Sequence, residues 1–261
     1  MKKNSKIESL ILKYKKLGVK KSQLLYISSD FGKIFSNLKI SKDEFLGMHF
    51  DAIQSIIGKK GTIVVPTATL NLCGSKKIFD AEKTESFQMG AFSEYVRKKK
   101  NSKRSIHPLW SVSAIGKLAD YITQNVPQHA FGFDSVFHRL VEKNAYFLSI
   151  GINPRLSISL IHYIELVCGV PYRMTKIFKQ KIKIKNKIIS KNYFHFVLKN
   201  RKTPRDKNIK IFNNFKKYSK VNQINLKSGK LTFFSSKEFF KITSELISKR
   251  PYIWTKLNTK N

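Results

Sequence analysis

The sequence predicts an α/β fold: a mainly parallel central sheet with helices on both faces, plus a C-terminal antiparallel β/helical appendage. Three observations point there. Residues 24–27 (L-L-Y-I), 62–66 (T-I-V-V-P) and 145–152 (A-Y-F-L-S-I-G-I) are short apolar runs, as expected of strands covered on both faces. Segments with helical apolar spacing lie between them. Beyond about residue 176, Ile or Phe alternates with Lys and Gln, the period of an antiparallel strand pair. At 261 residues with 41% apolar side chains the chain can bury a full core. It reads as one domain over 1–261, with an α/β core at 1–176 and a basic appendage at 177–261.

Taken in order, residues 7–17 form a helix with Ile7, Leu10, Ile11 and Tyr14 on one face. Residues 22–28 form a buried strand that ends in Ser28, Ser29 and Asp30. Ser41 and Glu44 have capping-box spacing and open a helix that Gly58 and Gly61 close. A second strand at 62–66 follows, then a long loop at 68–87 and a helix at 89–99. A short strand at 112–115, a helical turn at 117–124 and a helix at 135–142 precede the most apolar strand, 145–152. A helix at 157–167 completes the core. In the appendage, residues 177–189 pair antiparallel around Asn186, and 192–198 adds a strand. Residues 201–208 are a polar loop, and helices at 212–218 and 237–247 flank a strand at 231–234.

Charge is the unusual quantity. Lys and Arg total 51 against 16 Asp and Glu, for a net +35. Residues 1–172 carry 26 basic and 13 acidic side chains, and 173–261 carry 25 and 3. A phosphate-rich ligand, an anionic membrane surface or nucleic acid would each suit that field. Only 8 of the 51 are Arg, the residue best shaped for phosphate, and no RNA-recognition, zinc-finger or KH signature is present. A biased composition that uses Lys for solvated surface therefore comes first, a phosphorylated ligand is a compatible second cause, and nucleic acid is not expected. Cys73 and Cys168 make no disulfide framework, and no C-x-x-C or other metal pattern appears. No apolar run approaches the ~20 residues of a membrane span, and no signal-peptide core follows the basic N-terminus. The expected location is a reducing cytoplasm.

The best local constellation is His162 with Glu165. Three apart on a helix, the two share a face, and a carboxylate beside an imidazole fixes its tautomer and orientation. A structural helix pair is the plain alternative, and only position raises the catalytic reading: the pair follows an apolar strand, near the edge where open α/β sheets bind ligands. Ser28 and Ser29 after one strand, and Thr67 and Thr69 after another, add hydroxyls to that rim. Arg104 and His107, in R-S-I-H-P, form a candidate ligand loop. Cys168 lies about 240° around the helix from His162 and reads as a small buried hydrophobe. His49, His129, His138 and His195 read as surface or core histidines.

In combination these stretches resemble the aminoglycoside 3-N-acetyltransferase family, which is distinct from the GNAT acetyltransferases. The matching segments are L-L-Y-I-S-S at 24–29, G-T-I-V-V-P-T-A-T at 61–69 and M-G-A-F-S-E-Y-V-R at 89–97. R-S-I-H-P-L-W-S-V-S-A-I-G at 104–116, F-G-F-D-S at 131–135, F-L-S-I-G-I at 147–152 and H-Y-I-E-L-V-C-G-V-P-Y-R at 162–173 continue the series. The chain departs from the family at Ile27 and Trp110, where relatives often carry His, and at Ile158-Ser159-Leu160, where they carry a polar run. These changes bear on the acceptor more than on the fold.

The resemblance implies acyl transfer from acetyl-CoA, or another acyl-CoA, to the nitrogen of an amino sugar, with no metal. His162 would be the general base and Glu165 its holder. A hydroxyl such as Thr69 or Ser111, or backbone N–H groups, would meet the oxyanion. Ser28, Ser29, Arg104, His107 and Ser111 would contact CoA, and Thr67, Thr69, Tyr172, Arg173 and Lys176 the acceptor. A nucleotide-linked amino sugar or surface-glycan precursor suits the charge, and an aminoglycoside antibiotic is the alternative. A non-catalytic polyanion-binding or scaffold protein is the rival of another class, and peripheral contact with an anionic membrane is compatible with the enzyme.

Overall fold

The computed structural model describes residues 2–32, 40–153, 158–200, 202–203, 209–226 and 229–255. Its first elements are α1 (Lys2–Leu17), β1 (Leu24–Ser29), α2 (Lys42–Ile57), β2 (Thr62–Pro66), β3 (Ile78–Asp80) and α3 (Ala91–Arg97). Then come β4 (Lys103–Arg104), β5 (Val112–Gly116), α4 (Ala119–Thr123), α5 (Val136–Glu142), β6 (Tyr146–Ile150) and α6 (Leu160–Val167). The chain continues through β7 (Arg173–Ile184), β8 (Lys187–Leu198), α7 (Ile209–Tyr218), β9 (Asn222–Leu226), β10 (Gly229–Ser235) and α8 (Ser236–Lys249).

The three apolar runs become the centre of a seven-stranded sheet of order β4–β5–β2–β1–β6–β10–β9. β1 pairs parallel with β2 on one side and with β6 on the other. Alternation sends successive side chains to opposite faces. Leu24, Tyr26, Val64, Phe147 and Phe234 pack under α4–α8, whereas Leu25, Ile27, Ile63, Val65, Leu148 and Phe233 pack under α1–α3. Helices thus cover both faces, as the α/β class requires. The capping box forms as expected: Ser41 Oγ accepts the Glu44 N–H at 3.1 Å, and Gly58 closes α2 at φ 66°.

The sheet differs from the expectation in its flanks. Only β2, β1 and β6 are mutually parallel; β5, β4, β10 and β9 all join antiparallel. The strand expected in the appendage at 231–234 is β10, which pairs with β6 from Leu231↔Ile150 to Ser235↔Tyr146. Its Phe233 and Phe234 are buried on opposite faces, and such a strand is stable only in a sheet covered on both sides. The antiparallel appendage itself is a second sheet of order β3–β7–β8. Residues 192–198 are the far half of β8, paired along its length with β7, and Lys185, at φ 52°, and Asn186 make the two-residue turn. The loop at 68–87 contains a 3-10 turn (Leu70–Leu72) and β3, which pairs parallel with β7. The start of the helix expected at 157, most of the polar loop at 201–208, and Pro154 and Arg155 lie outside the described residues.

The parallel strands end at one edge, which places Ser28, Ser29 and Thr67 together there. Gly90 opens α3 against that edge at φ 87°. A Cβ on it would lie 2.7 Å from the Ser29 carbonyl oxygen, so glycine alone fits. Among the described residues no helix is long and apolar enough to cross a membrane.

Candidate active site

His162 and Glu165 lie one turn apart on α6, and the His162 Nδ1 is 2.9 Å from Glu165 Oε2. With Nδ1–H donating to the carboxylate, the basic lone pair is on Nε2. Glu165 is wholly buried, so its charge needs several partners. The Tyr172 hydroxyl donates to Oε1 at 2.7 Å, and Arg173 Nε stands 2.8 Å from Oε2. That last contact is an ion pair by distance without hydrogen-bond alignment, so charge carries it. Arg173 also donates from Nη1 to the Phe196 carbonyl at 3.1 Å. Its Nη2 is buried with no hydrogen-bond partner among the described residues, as is the indole Nε1 of Trp254. Trp254 stacks on His162 with centroids 5.2 Å apart, while Phe131 and Trp110 meet the imidazole edge-on at 5.2 and 6.0 Å. The His162 imidazole is thus walled by aromatic rings and held on an anchored carboxylate.

His162 opens into a cleft of about 550 Å³ lined by Leu70, Trp110, Arg173, Lys176, Phe178, His195 and Lys199, among others. Arg173 and Lys176, two of the expected acceptor contacts, are therefore in place beside His162, with Tyr172 behind them on Glu165. His195, read from sequence as a surface or core histidine, lines the same cleft. It stands opposite Lys176 in the β7–β8 register, and its Nδ1 accepts the Trp110 indole N–H at 3.2 Å. Burial, with the Arg173 guanidinium adding to it, pushes its pKa down to about 3.

Arg104, Ser111 and Thr67 gather elsewhere, in a closed knot. Arg104 donates to Ser111 Oγ (3.1 Å) and to the carbonyls of Ala81 (3.2 Å), Thr84 and Thr67 (2.6 Å). Ser111 Oγ donates to the Thr67 carbonyl at 2.6 Å, and the Thr69 hydroxyl to that of Pro108. His107 is buried; its Nδ1 accepts the N–H groups of Leu109 (3.3 Å) and Trp110 (3.0 Å), and its Nε2 meets the Gln128 carbonyl at 3.2 Å. Burial lowers its pKa to about 4, so it stays neutral. These side chains tie the loops that carry Leu70 and Trp110 to the sheet edge. Ser28 and Ser29 sit buried at the end of β1, and the Ser29 hydroxyl has no partner among the described residues.

Of the residues where the chain departs from the family pattern, Ile27 is buried in the core under α1–α3, and Trp110 holds His195. Cys168 faces α8, its thiol 3.8 Å from the Ser244 carbonyl and its pKa raised by burial. Neither cysteine lines the His162 cleft. Sequence reasoning missed His195, Trp254 and Phe131. The one available signal was the alternation of 192–198, which sets His195 on one face of a strand, though not which strand faces it.

Known proteins share both the pattern and the fold. The aminoglycoside 3-N-acetyltransferase family profile matches residues 47–248. No curated protein matches by sequence. The fold is similar to that of YokD from Bacillus subtilis, with a TM-score of 0.77, 20% identity, and coverage of 94% of this chain and 99% of that one. It is similar to AAC-IIIb in a binary complex with CoASH (TM-score 0.79, 16% identity, 97% and 98% covered). It is also similar to AAC-VIa bound to sisomicin (TM-score 0.78, 17% identity, 94% and 97% covered). The chain belongs to the aminoglycoside 3-N-acetyltransferase family and is an acetyl-CoA-dependent N-acetyltransferase.

Proposed function

We propose that this protein moves an acetyl or other short acyl group from CoA to the amine of an amino sugar that itself carries negative charge. A nucleotide-linked sugar or another phosphorylated surface-glycan precursor fits that description. One observation carries the reading: Arg173, Lys176 and Lys199 line the His162 cleft, and no carboxylate does among the described residues. Glu165 is fully buried and spent on His162, Tyr172 and Arg173. An aminoglycoside is a polycation and needs acidic contacts, whereas a phosphorylated acceptor complements this lining.

The sugar ammonium first loses one proton to solvent, and the neutral amine attacks the thioester carbonyl carbon. As the C–N bond forms, His162 Nε2 takes the second proton from nitrogen; the C–S bond breaks, and His162 passes that proton to the departing CoA thiolate. With no thiol in the cleft, attack is direct, within a ternary complex. The buried donors near His162 suit the anionic groups of either substrate.

The test is thiol release from acetyl-CoA with UDP-glucosamine, glucosamine 6-phosphate and kanamycin, using wild type and a Lys176→Glu/Lys199→Glu double variant. A kcat/KM at least tenfold higher for a phosphorylated acceptor, reversed or erased by the charge swap, is expected. Preference for kanamycin in the wild type would return the protein to the antibiotic-modifying reading.

A further inference from the structure

We propose that His195 is a further catalytic residue, a neutral imidazole that presents Nε2–H to the thioester carbonyl oxygen and stabilises the oxyanion during transfer. This rests on the acyl-transfer reading above and adds to it the group that faces the developing charge.

The geometry fixes the tautomer. An indole Nε1–H only donates, so the 3.2 Å contact from Trp110 requires a lone pair on His195 Nδ1. A ring that accepts at Nδ1 carries its proton on Nε2, and an imidazolium could not accept at all. No protein group among the described residues meets that Nε2. His195 lines the same cleft as His162, beside Arg173 and opposite Lys176. Base and donor therefore face one space, as attack on a carbonyl demands: the proton leaves on one side while negative charge gathers on oxygen at another. The hydroxyls that the sequence offered for this task are committed, Ser111 to the Thr67 carbonyl and Thr69 to the Pro108 carbonyl.

Neutrality is sustained by the surroundings. The ring is half-buried among Trp110, Phe131 and Phe178, with the Arg173 guanidinium adding positive potential, so a second proton is disfavoured. A neutral N–H donor of this kind polarises a carbonyl without becoming a competing acid. Merely filling a core would ask for no particular ring nitrogen and no indole partner.

During the step, the amine lone pair forms the C–N bond, and the carbonyl π electrons move to oxygen, where His195 Nε2–H donates. They return as the C–S bond breaks. His162 carries the proton from nitrogen to the thiolate, and His195 keeps its own throughout.

The experiment compares two amides at position 195. In His195→Gln the side-chain nitrogen stands where Nε2 stands, and in His195→Asn where Nδ1 stands. Thiol release from acetyl-CoA is followed with hydroxylamine, a small amine that needs no sugar subsite, and with the acceptors named above. Losing one such donor costs ~10²–10³ in kcat. His195→Asn is expected to fall by about 100-fold with KM for acetyl-CoA unchanged, and His195→Gln to stay within about tenfold of wild type. Nitrogen-15 NMR of the wild-type protein, which needs neither turnover nor a variant that folds, is expected to show Nε2 protonated and Nδ1 bare. Equal activity of the two variants, an effect on KM alone, or a proton on Nδ1 would overturn the proposal. With His162→Ala dead and His195→Asn fully active, only this inference falls; with no turnover of any amine by the wild type, the acyl-transfer reading falls and takes it along.

Discussion

Two arginines, Arg104 in β4 of the central sheet and Arg173 at the start of β7, do opposite jobs. Arg104 spends its guanidinium on three backbone carbonyls from two loops and on Ser111, a finished set of bonds. Arg173 balances the buried Glu165 and keeps Nη2 without a hydrogen-bond partner among the described residues, in the wall of the cleft. A buried donor already matched to protein acceptors holds structure; one left unmatched in the wall of the His162 cleft is available to a ligand. Two residues of one type thus separate into a staple and part of a candidate site, and only the accounting of donors tells them apart.

The sharpest way to break that comparison is to remove each side. Arg104→Ala strands several buried carbonyls and is expected to lower unfolding stability by about 3 kcal/mol, with KM for acetyl-CoA unchanged. Glu165→Gln keeps the shape but removes the charge that orients His162, and kcat is expected to fall at least tenfold with a smaller change in urea midpoint. If Arg104→Ala instead weakens acetyl-CoA binding while stability holds, the two roles are misassigned.

Acid sharpens it next, because both regions bury neutral histidines. His107 in the knot is held near pKa 4, and His195 in the cleft and His49 beside Tyr14 near 3, all below the ~6.5 of an unfolded chain. Depressed folded-state values mean the unfolded chain binds more protons, so stability is whole above about pH 6.5 and drains as pH falls toward the folded values. At pH 5 each group costs on the order of 2 kcal/mol. The urea midpoint should drop steeply from pH 6.5 to 4.5 and less steeply in His195→Gln. A flat wild-type profile would contradict the burial of these rings. The smallest effect belongs far from both regions: Ser41→Ala removes the α2 cap and should cost about 1 kcal/mol without touching activity.

Much of this was legible in the residues. The runs that became β1, β2 and β6, the Ser41 cap and the His162–Glu165 pair are local patterns with local causes. The short strands β3 and β4, and the polar β9, are not, because pairing with a neighbour rather than their own composition makes them strands. The place of β10 beside β6 was hidden for the same reason. His195 was hidden most thoroughly: its role depends on Trp110, 85 residues away, and on a β7–β8 register that a hairpin turn sets. Arg104 and His107 were conspicuous in sequence because they belong to a family motif, and the structure spends them on loop architecture.

The most direct measurement is thiol release from acetyl-CoA by wild type and His162→Ala at saturating acceptor, with CoA binding to both followed by calorimetry. The expected result is a loss of ~10²–10⁴ in kcat with CoA affinity unchanged. A His162→Ala protein that binds CoA and still turns over the acceptor at wild-type rate would contradict the assignment of His162 as the base.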